Sequence, residues 1–250
     1  MGPFSTDRTV GHCHDRDSDE QNVLEEYLAY RTYNVVTDHS FRVRLAPITY
    51  LDSRGKDDPL IRYAFFIEEK EAVAERVGGM MLDVPQVHQT KLSTDASARL
   101  ALFQYMVGNT DWDMVYFHNV TLMRGGDGIY IPMPYDFAFT GLVAASYAKP
   151  DEQLGLRTIK DRMYRGFCRP EVDFSAMYSE LNEYRPRSKR STRGWKGSRR
   201  RKRRVPSSTW TASTTSSLLR GAPNWASKRH AEGFSRMDYP AQSGPASLRP

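Results

Sequence analysis

Residues 103–142 read FQYMVGNTDWDMVYFHNVTLMRGGDGIYIPMPYDFAFTGL, and this stretch decides the expected fold. Apolar residues at helical spacing lead up to Gly108, a residue type that readily takes the left-handed conformation that closes a helix. A polar loop follows over residues 109–119, and two short strand-like runs then flank the sequence RGGDG, a strong hairpin signal. The stretch therefore predicts a helix, a polar loop and a β-hairpin, in that order.

Two polar side chains stand at the two ends of the expected hairpin. Asn119 precedes the first strand and Asp136 follows the second. Because a hairpin brings its ends together, we expect these two side chains to be neighbours. Their oxygens suit a hard cation such as Mg²⁺, which takes oxygen ligands and retains waters for a substrate phosphate. An aspartate in the preceding loop, Asp111 or Asp113, can then orient a nucleophile or accept its proton.

The pattern G-N-T-D-W-x(5)-H-N followed by P-x-P-Y-D-F resembles the active-site segment of atypical kinase-fold proteins, the HipA-like and CotH-like group. It also resembles uncharacterised bacterial proteins that share this segment. The resemblance covers roughly residues 20–184 and is sharpest at 103–142. It implies an α+β, protein-kinase-like fold, with a partial amino-terminal lobe and a helical carboxy-terminal lobe, that binds Mg²⁺ and ATP for phosphoryl transfer.

The resemblance also implies roles for the residues of the central stretch. Asp111 matches the catalytic aspartate, which orients or deprotonates the acceptor hydroxyl, while Asn119 and Asp136 match the residues that hold Mg²⁺ against the phosphates. Asp111 lies eight positions before Asn119, against five in protein kinases. Asp113 therefore stays open as an alternative catalytic residue, although we prefer Asp111. The acceptor itself cannot be read from the sequence.

Two glutamates outside this stretch match nucleotide-binding positions of the resembled family. Glu26 lies on a helix expected over residues 21–36 and matches the glutamate that pairs with a phosphate-binding lysine on the preceding strand. Its alternative is a solvated carboxylate on the helix surface. Glu68 lies where the hinge that binds adenine through backbone groups is expected, near residues 67–69.

The other elements follow from local periodicity and turn residues. Alternating residues predict an antiparallel pair of strands at 41–50 and 60–67. Apolar periodicity predicts helices over 68–77, 95–107 and 173–184, with an irregular segment at 80–94.

The amino terminus lacks two parts of a kinase site. Residues 1–20 contain no lysine and no G-x-G-x-x-G sequence, and their few apolar groups predict poor order. We therefore expect either a fragment of a longer kinase-like protein or a degenerate version that binds nucleotide weakly.

Charge divides the chain into two unlike parts. Residues 185–250 hold seventeen Lys and Arg but two Asp and Glu, a net charge of +15, so the first 184 residues carry −9 within a whole-chain charge of +6. The expected organisation is a disordered amino terminus at 1–20, a kinase-like domain at 21–184 and a basic tail of low order at 185–250. This tail cannot bury enough apolar surface to offset its ordering entropy.

Three interpretations of the basic tail remain open. It can bind nucleic acid or act as a nuclear address, it can be a solvated tail without a partner, or it can be an out-of-frame translation of GC-rich DNA, which is the interpretation we favour. The first supplies an alternative function, a non-enzymatic scaffold or nucleic-acid-binding protein. No apolar run is long enough to span a bilayer, and without a signal peptide a cytoplasmic location is the default expectation.

Overall fold

The computed structural model describes residues 4–183, and these form an α+β fold with two three-stranded antiparallel sheets. The strands are β1 Phe4–Val10, β2 Val43–Tyr50, β3 Leu60–Glu68, β4 Gly79–Leu82, β5 Val120–Gly125 and β6 Tyr130–Pro134. The helices are α1 Asp17–Val36, α2 Lys70–Val77, α3 Thr94–Val107 and α4 Phe174–Glu183. The α+β class predicted from the sequence is confirmed. The basic tail predicted at 185–250 lies outside the described residues.

The first sheet has the strand order β1–β3–β2. β2 and β3 pair antiparallel from Val43 opposite Ile67 to Tyr50 opposite Leu60, as the alternating pattern predicted. Helix α1 packs on β3. The antiparallel pair expected at 41–50 and 60–67 is therefore present, with β3 extended by one residue to Glu68.

Poor order was expected for residues 1–20, but within this segment residues 4–10 form β1, which pairs with β3. The pairing uses backbone groups, which do not depend on apolar side chains. Arg8 adds anchoring contacts: its guanidinium lies 4.5 Å from the centre of the Phe41 ring and Nη1 donates to the Glu68 carbonyl at 2.6 Å. A strand of this composition gives little sequence signal, since its order comes from residues 60 positions away.

Helix α1 begins at Asp17, four residues before the expected start. The cause is Arg62 on β3, whose guanidinium binds Asp15 Oδ1 at 2.5 Å, Asp17 Oδ1 at 2.9 Å and Glu20 Oε2 at 3.1 Å. These carboxylates also lie in the first turn or just before it, where the helix dipole favours negative charge. The start of the helix is therefore fixed by a tertiary contact with the sheet.

The second sheet, β4–β5–β6, contains the predicted hairpin. β5 and β6 pair from Val120 opposite Pro134 to Arg124 opposite Tyr130, which confirms the hairpin. β4 lies on the other side of β5, where the sequence predicted irregular chain. Helix α3 ends as predicted at Gly108, which takes a left-handed conformation with φ of 69°.

A chain of aromatic rings joins α1, β3 and α3 to the segment after the hairpin. Phe137 is fully buried, with its ring centre 4.7 Å from that of Tyr30 and 5.6 Å from that of Phe103. Tyr30 in turn lies 5.6 Å from Phe65. Because Phe137 is locked in this core, its neighbour Asp136 is held at one position relative to α1.

Candidate functional site

A cavity of about 820 Å³ opens between the first sheet, helix α1 and the segment that follows the hairpin. Its walls come from β1 and residues 11–14, from one face of α1, from the end of β3, and from residues 135–147. The charged residues on these walls are Arg8, Asp19, Glu26 and Asp136. Two of the sequence-predicted site residues, 110 positions apart, thus line the same space.

Asp136 enters the cavity from a left-handed backbone conformation, with φ of 57°. Such a conformation is costly for a residue other than glycine and persists where the surroundings enforce it. Here the Asp136 N–H donates to Tyr30 Oη at 2.9 Å, and the next N–H, of Phe137, donates to Glu26 Oε1 at 3.3 Å. The Asp136 side chain is exposed. Helix α1 therefore fixes the backbone of Asp136 and leaves its carboxylate facing the cavity.

Glu26 is buried beneath this carboxylate, with 6% of its surface exposed. Burial, together with the negative charge of Asp136, raises the pKa of Glu26 to about 8, although the hydrogen bond from the Phe137 N–H lowers it. Glu26 is therefore mostly protonated at neutral pH. The alternative of a solvated surface carboxylate is wrong, because α1 presents this face to the core.

Arg8 is the one arginine or lysine on the cavity wall among the described residues. Its contacts with Phe41 and the Glu68 carbonyl hold the guanidinium in place, and its charge lowers the pKa of Tyr30 against the stronger effects that raise it. Sequence reasoning missed Arg8 because it expected a lysine and assigned no strand to this region. The sequence feature that could have identified it is the order of elements: a strand that carries an arginine comes before a helix that carries a glutamate.

The second pair of predicted residues, Asp111 and Asn119, meets in the loop after α3. Asn119 Nδ2 donates to the Asp111 carbonyl at 2.9 Å and to Asp111 Oδ2 at 3.1 Å. His118 Nε2 lies 2.6 Å from Asp111 Oδ1. Because an ionised carboxylate only accepts hydrogen bonds, that imidazole nitrogen carries the proton. His118 belongs to this site although the sequence assigned it no role.

The side chain of Asp113 has a different role from that of Asp111, because it bonds to the backbone of its own loop. Its Oδ1 accepts the N–H of Val115 at 2.6 Å and of Tyr116 at 2.8 Å, which is the local turn bonding that aspartate commonly makes. Its backbone N–H donates to the His118 carbonyl at 2.8 Å. Asp113 therefore shapes the loop, while Asp111 keeps contacts with the polar side chains expected of a site.

The two pairs are joined through the base of the hairpin. The Tyr135 N–H donates to the Asn119 carbonyl at 3.0 Å, so the backbone of Asn119 lies beside the residue that precedes Asp136. The side-chain nitrogen of Asn119 donates to Asp111. The side-chain oxygen of Asn119 therefore points away from the Asp111 carboxylate. Asn119 itself is not on the cavity wall, and within residues 4–183 no three His, Cys, Asp or Glu side chains are grouped to hold a metal.

Glu68, which we placed near a nucleotide-binding hinge at residues 67–69, is not on the cavity wall, although its neighbour Ile67 is. Its carboxylate is buried and forms a two-point ion pair with Arg76, at 2.9 Å for both contacts, while Oε2 accepts the Arg42 N–H at 2.9 Å. Its backbone groups are also used, because the N–H donates to the Arg42 carbonyl and the carbonyl accepts from Arg8.

No protein-family model, no curated protein and no solved structure matches this chain. Among the residues that the structure describes, no helix is both long and apolar enough to cross a membrane.

Proposed function

We propose that this chain binds ATP with Mg²⁺ in the cavity beside Asp136 and belongs to the kinase-like proteins that its central segment resembles. The observation that carries the proposal is that Arg8, Glu26 and Asp136 line the same cavity. In protein kinases a cation on a strand, a glutamate on the next helix and an aspartate after the hairpin act together on the phosphates and metal. The same three kinds of element supply these residues here.

The order of elements supports the same interpretation. β1 with Arg8 precedes α1 with Glu26, the elements β2, β3, α2 and β4 follow, and α3 leads into the loop of Asp111 and Asn119. The hairpin then delivers Asp136. This is the order expected of the strand, helix and loop parts of a kinase-like domain. The chain departs from that pattern in its arginine and in the wider spacing between Asp111 and Asn119.

The oxygen donors present fit the chemistry of Mg²⁺. The exposed carboxylate of Asp136 on the cavity wall is a hard ligand of the kind that this ion prefers. The side-chain oxygen of Asn119 is a ligand of the same kind, and it would have to turn towards the cavity to reach the same ion, because Asn119 is not on the cavity wall. The bound ion would neutralise phosphate charge. Arg8 would supply a fixed positive charge to the same phosphates, and Asp111, held by His118 and Asn119, would orient the acceptor hydroxyl.

We expect weak binding of Mg-ATP, with a Kd on the order of a millimolar, and little phosphoryl transfer. Within residues 4–183 no glycine-rich loop covers the cavity, so water reaches the phosphates. Isothermal titration with ATP in the presence of Mg²⁺ measures the binding. Asp136→Ala should abolish it because the metal loses its carboxylate, and Arg8→Ala should weaken it by about tenfold or more, since a hydrogen bond to a charged group is lost.

Asp111→Ala is the matched control for this experiment. It also removes a carboxylate near the hairpin, but one assigned to the acceptor, so nucleotide binding should change little. Omitting Mg²⁺ should have the same effect as Asp136→Ala. Binding that survives Asp136→Ala, or rapid turnover of ATP by the wild-type protein, would show that the roles are misassigned.

The alternative function, nucleic-acid binding through residues 185–250, has one favouring observation, the net charge of +15 on that segment. Binding of this kind releases counterions from the phosphate backbone, so it weakens steeply with salt. We expect any affinity of the full chain for duplex DNA or RNA to fall by orders of magnitude between about 50 and 200 mM salt. Deleting residues 185–250 should remove it while Mg-ATP binding persists. Salt-insensitive binding, or binding by the truncated chain, would argue against the tail.

A further inference from the structure

The segment after the site contains an arginine strap, defined here as residues 162–169, which has no helix or strand of its own. Its three arginines instead donate to polar groups of chain far earlier in the sequence. Arg162 binds the Met106 carbonyl at the end of α3, at 3.2 Å. Arg169 binds Thr94 Oγ1 at 2.7 Å and the Leu92 carbonyl at 3.2 Å, at the start of the same helix. The strap thus runs along α3 from its end to its beginning.

Arg165, the middle arginine, reaches the site loop itself. Its Nη1 donates to the carbonyls of Thr110 and Trp112, the second at 2.8 Å, so that it holds the peptide on each side of Asp111. The guanidinium also lies over the indole of Trp112, 5.8 Å from the ring centre. Trp112 is buried, and its Nε1 donates to the Asn109 carbonyl at 3.1 Å.

These contacts add to the hydrogen bonds that the backbone polar groups at Asp111 already make. Its N–H donates to Asn109 Oδ1 at 2.9 Å and its carbonyl accepts from Asn119. With Arg165 on both flanking carbonyls, four polar backbone groups between Thr110 and Trp112 in this irregular loop have partners. Loop carbonyls without sheet partners need such donors when they are removed from water. A planar charged guanidinium can satisfy two of them while stacking on an aromatic ring.

Gly166 shows why the strap can lie so close to α3. It is buried, and a Cβ at this position would overlap the side chains of Ala101 and Tyr164. The residue that follows Arg165 must therefore be glycine for the arginine to keep this approach. The close packing and the two carbonyl contacts together make Arg165 a fixed part of the loop.

We infer that Arg165 is a positioning residue for Asp111: it fixes the flanking peptides so that the carboxylate keeps its contacts with Asn119 and His118. What Asp111 then does rests on the proposed function, but the positioning itself does not.

The experiment uses the side-chain amide of Asn119 as a reporter. Both of its protons are committed to Asp111, so their exchange with solvent, followed by ¹⁵N NMR without nucleotide, reports whether Asp111 is in place. Asn119→Asp, which removes the signal, assigns it. Arg165→Ala should accelerate this exchange by about tenfold or more, because the lost hydrogen bonds from a charged donor each shift a local equilibrium by about that factor.

Arg169→Ala is the matched control, since Arg169 also donates to carbonyls and lies over a ring, that of Phe167 at 5.6 Å. It should lower the melting temperature as Arg165→Ala does, yet leave Asn119 exchange within about twofold of wild type, because its partners lie outside the loop. If Arg165→Ala does not fold, Arg165→Lys, which can donate but does not stack as a plane, should give intermediate exchange. Wild-type exchange in the folded Arg165 variant, or equal acceleration in Arg169→Ala, would overturn the inference.

Discussion

Replacing Glu26 with glutamine is expected to remove a loss of stability that the wild-type protein suffers as the pH rises from about 4.5 to about 8. The pKa of Glu26 is raised to about 8, first by burial and then by the charge of Asp136. Across this window the folded state keeps the Glu26 proton and the unfolded state has lost it. Raising the pH therefore favours unfolding, by about 1.4 kcal/mol per pH unit.

Glutamine keeps the oxygen that accepts the Phe137 N–H but cannot ionise. Denaturant titrations at about pH 5 and about pH 8 measure this difference. Between the two pH values, the free energy of unfolding of Glu26→Gln should rise by roughly 3–4 kcal/mol relative to that of the wild-type protein. Asp136→Asn offers a second measurement. By removing the nearby negative charge it should lower the pKa of Glu26, so that the loss of stability ends at a lower pH.

The matched control for Glu26 is its neighbour Glu25. Partial burial raises the pKa of Glu25 while a hydrogen bond from Gln21 lowers it, and the side chain remains partly in contact with water. Glu25→Gln should therefore change the pH dependence of unfolding far less. Parallel stability curves for wild type and Glu26→Gln would contradict the assignment of a buried, protonated Glu26.

The second large effect concerns the ion pair of Glu68 and Arg76. Arg76→Ala is expected to destabilise the fold by about 3–5 kcal/mol, because it leaves a buried carboxylate without its charged partner. Arg76 also donates to the carbonyls of Asp38 at 2.9 Å and Ser40 at 2.8 Å, so one side chain joins α2 to the connection between α1 and β2. Denaturant unfolding of the purified variant measures the loss.

The pair of Arg99 and Glu180 provides the control for this effect. Its geometry is similar, with two contacts of 2.9 and 2.8 Å, but the Glu180 side chain is 40% exposed. Arg99→Ala should cost at most about 1 kcal/mol because water screens and replaces such a pair. The double variant of Glu68 and Arg76 to alanine should cost less than the sum of the single variants, since no unpaired charge remains. Equal costs for Arg76→Ala and Arg99→Ala would refute the stabilising role of the buried ion pair between Glu68 and Arg76.

Local sequence could predict those parts of the site whose structure depends on residues close together in the chain. Gly108 ends α3 and the RGGDG turn closes the hairpin because their backbone preferences act over a few residues. The approach of Asn119 to the residue before Asp136 follows from hairpin geometry alone. Glu26 was placed on a helix for the same reason, from the period of apolar residues.

Local sequence patterns could not show which of several similar carboxylates belongs to the site. Asp111 and Asp113 are two positions apart in one loop, and only the folded loop directs Asp113 to the Val115 and Tyr116 N–H groups. Glu26 and Glu68 were both assigned to nucleotide binding, but only Glu26 lines the cavity. Glu68 is held by Arg76, and a pairing of this kind depends on where α2 lies in the fold.

The sequence by itself determined the α+β class and the helix, loop and hairpin around residues 103–142, since these depend on periodicity and turn chemistry within short windows. Tertiary structure alone decided the edge strands β1 and β4, because β1 has few apolar residues, β4 is only four residues long, and the order of both comes from pairing with β3 and β5. It also decided the cavity and the raised pKa of Glu26. Burial and charge at that carboxylate come from residues about 110 positions away, and no local window contains them.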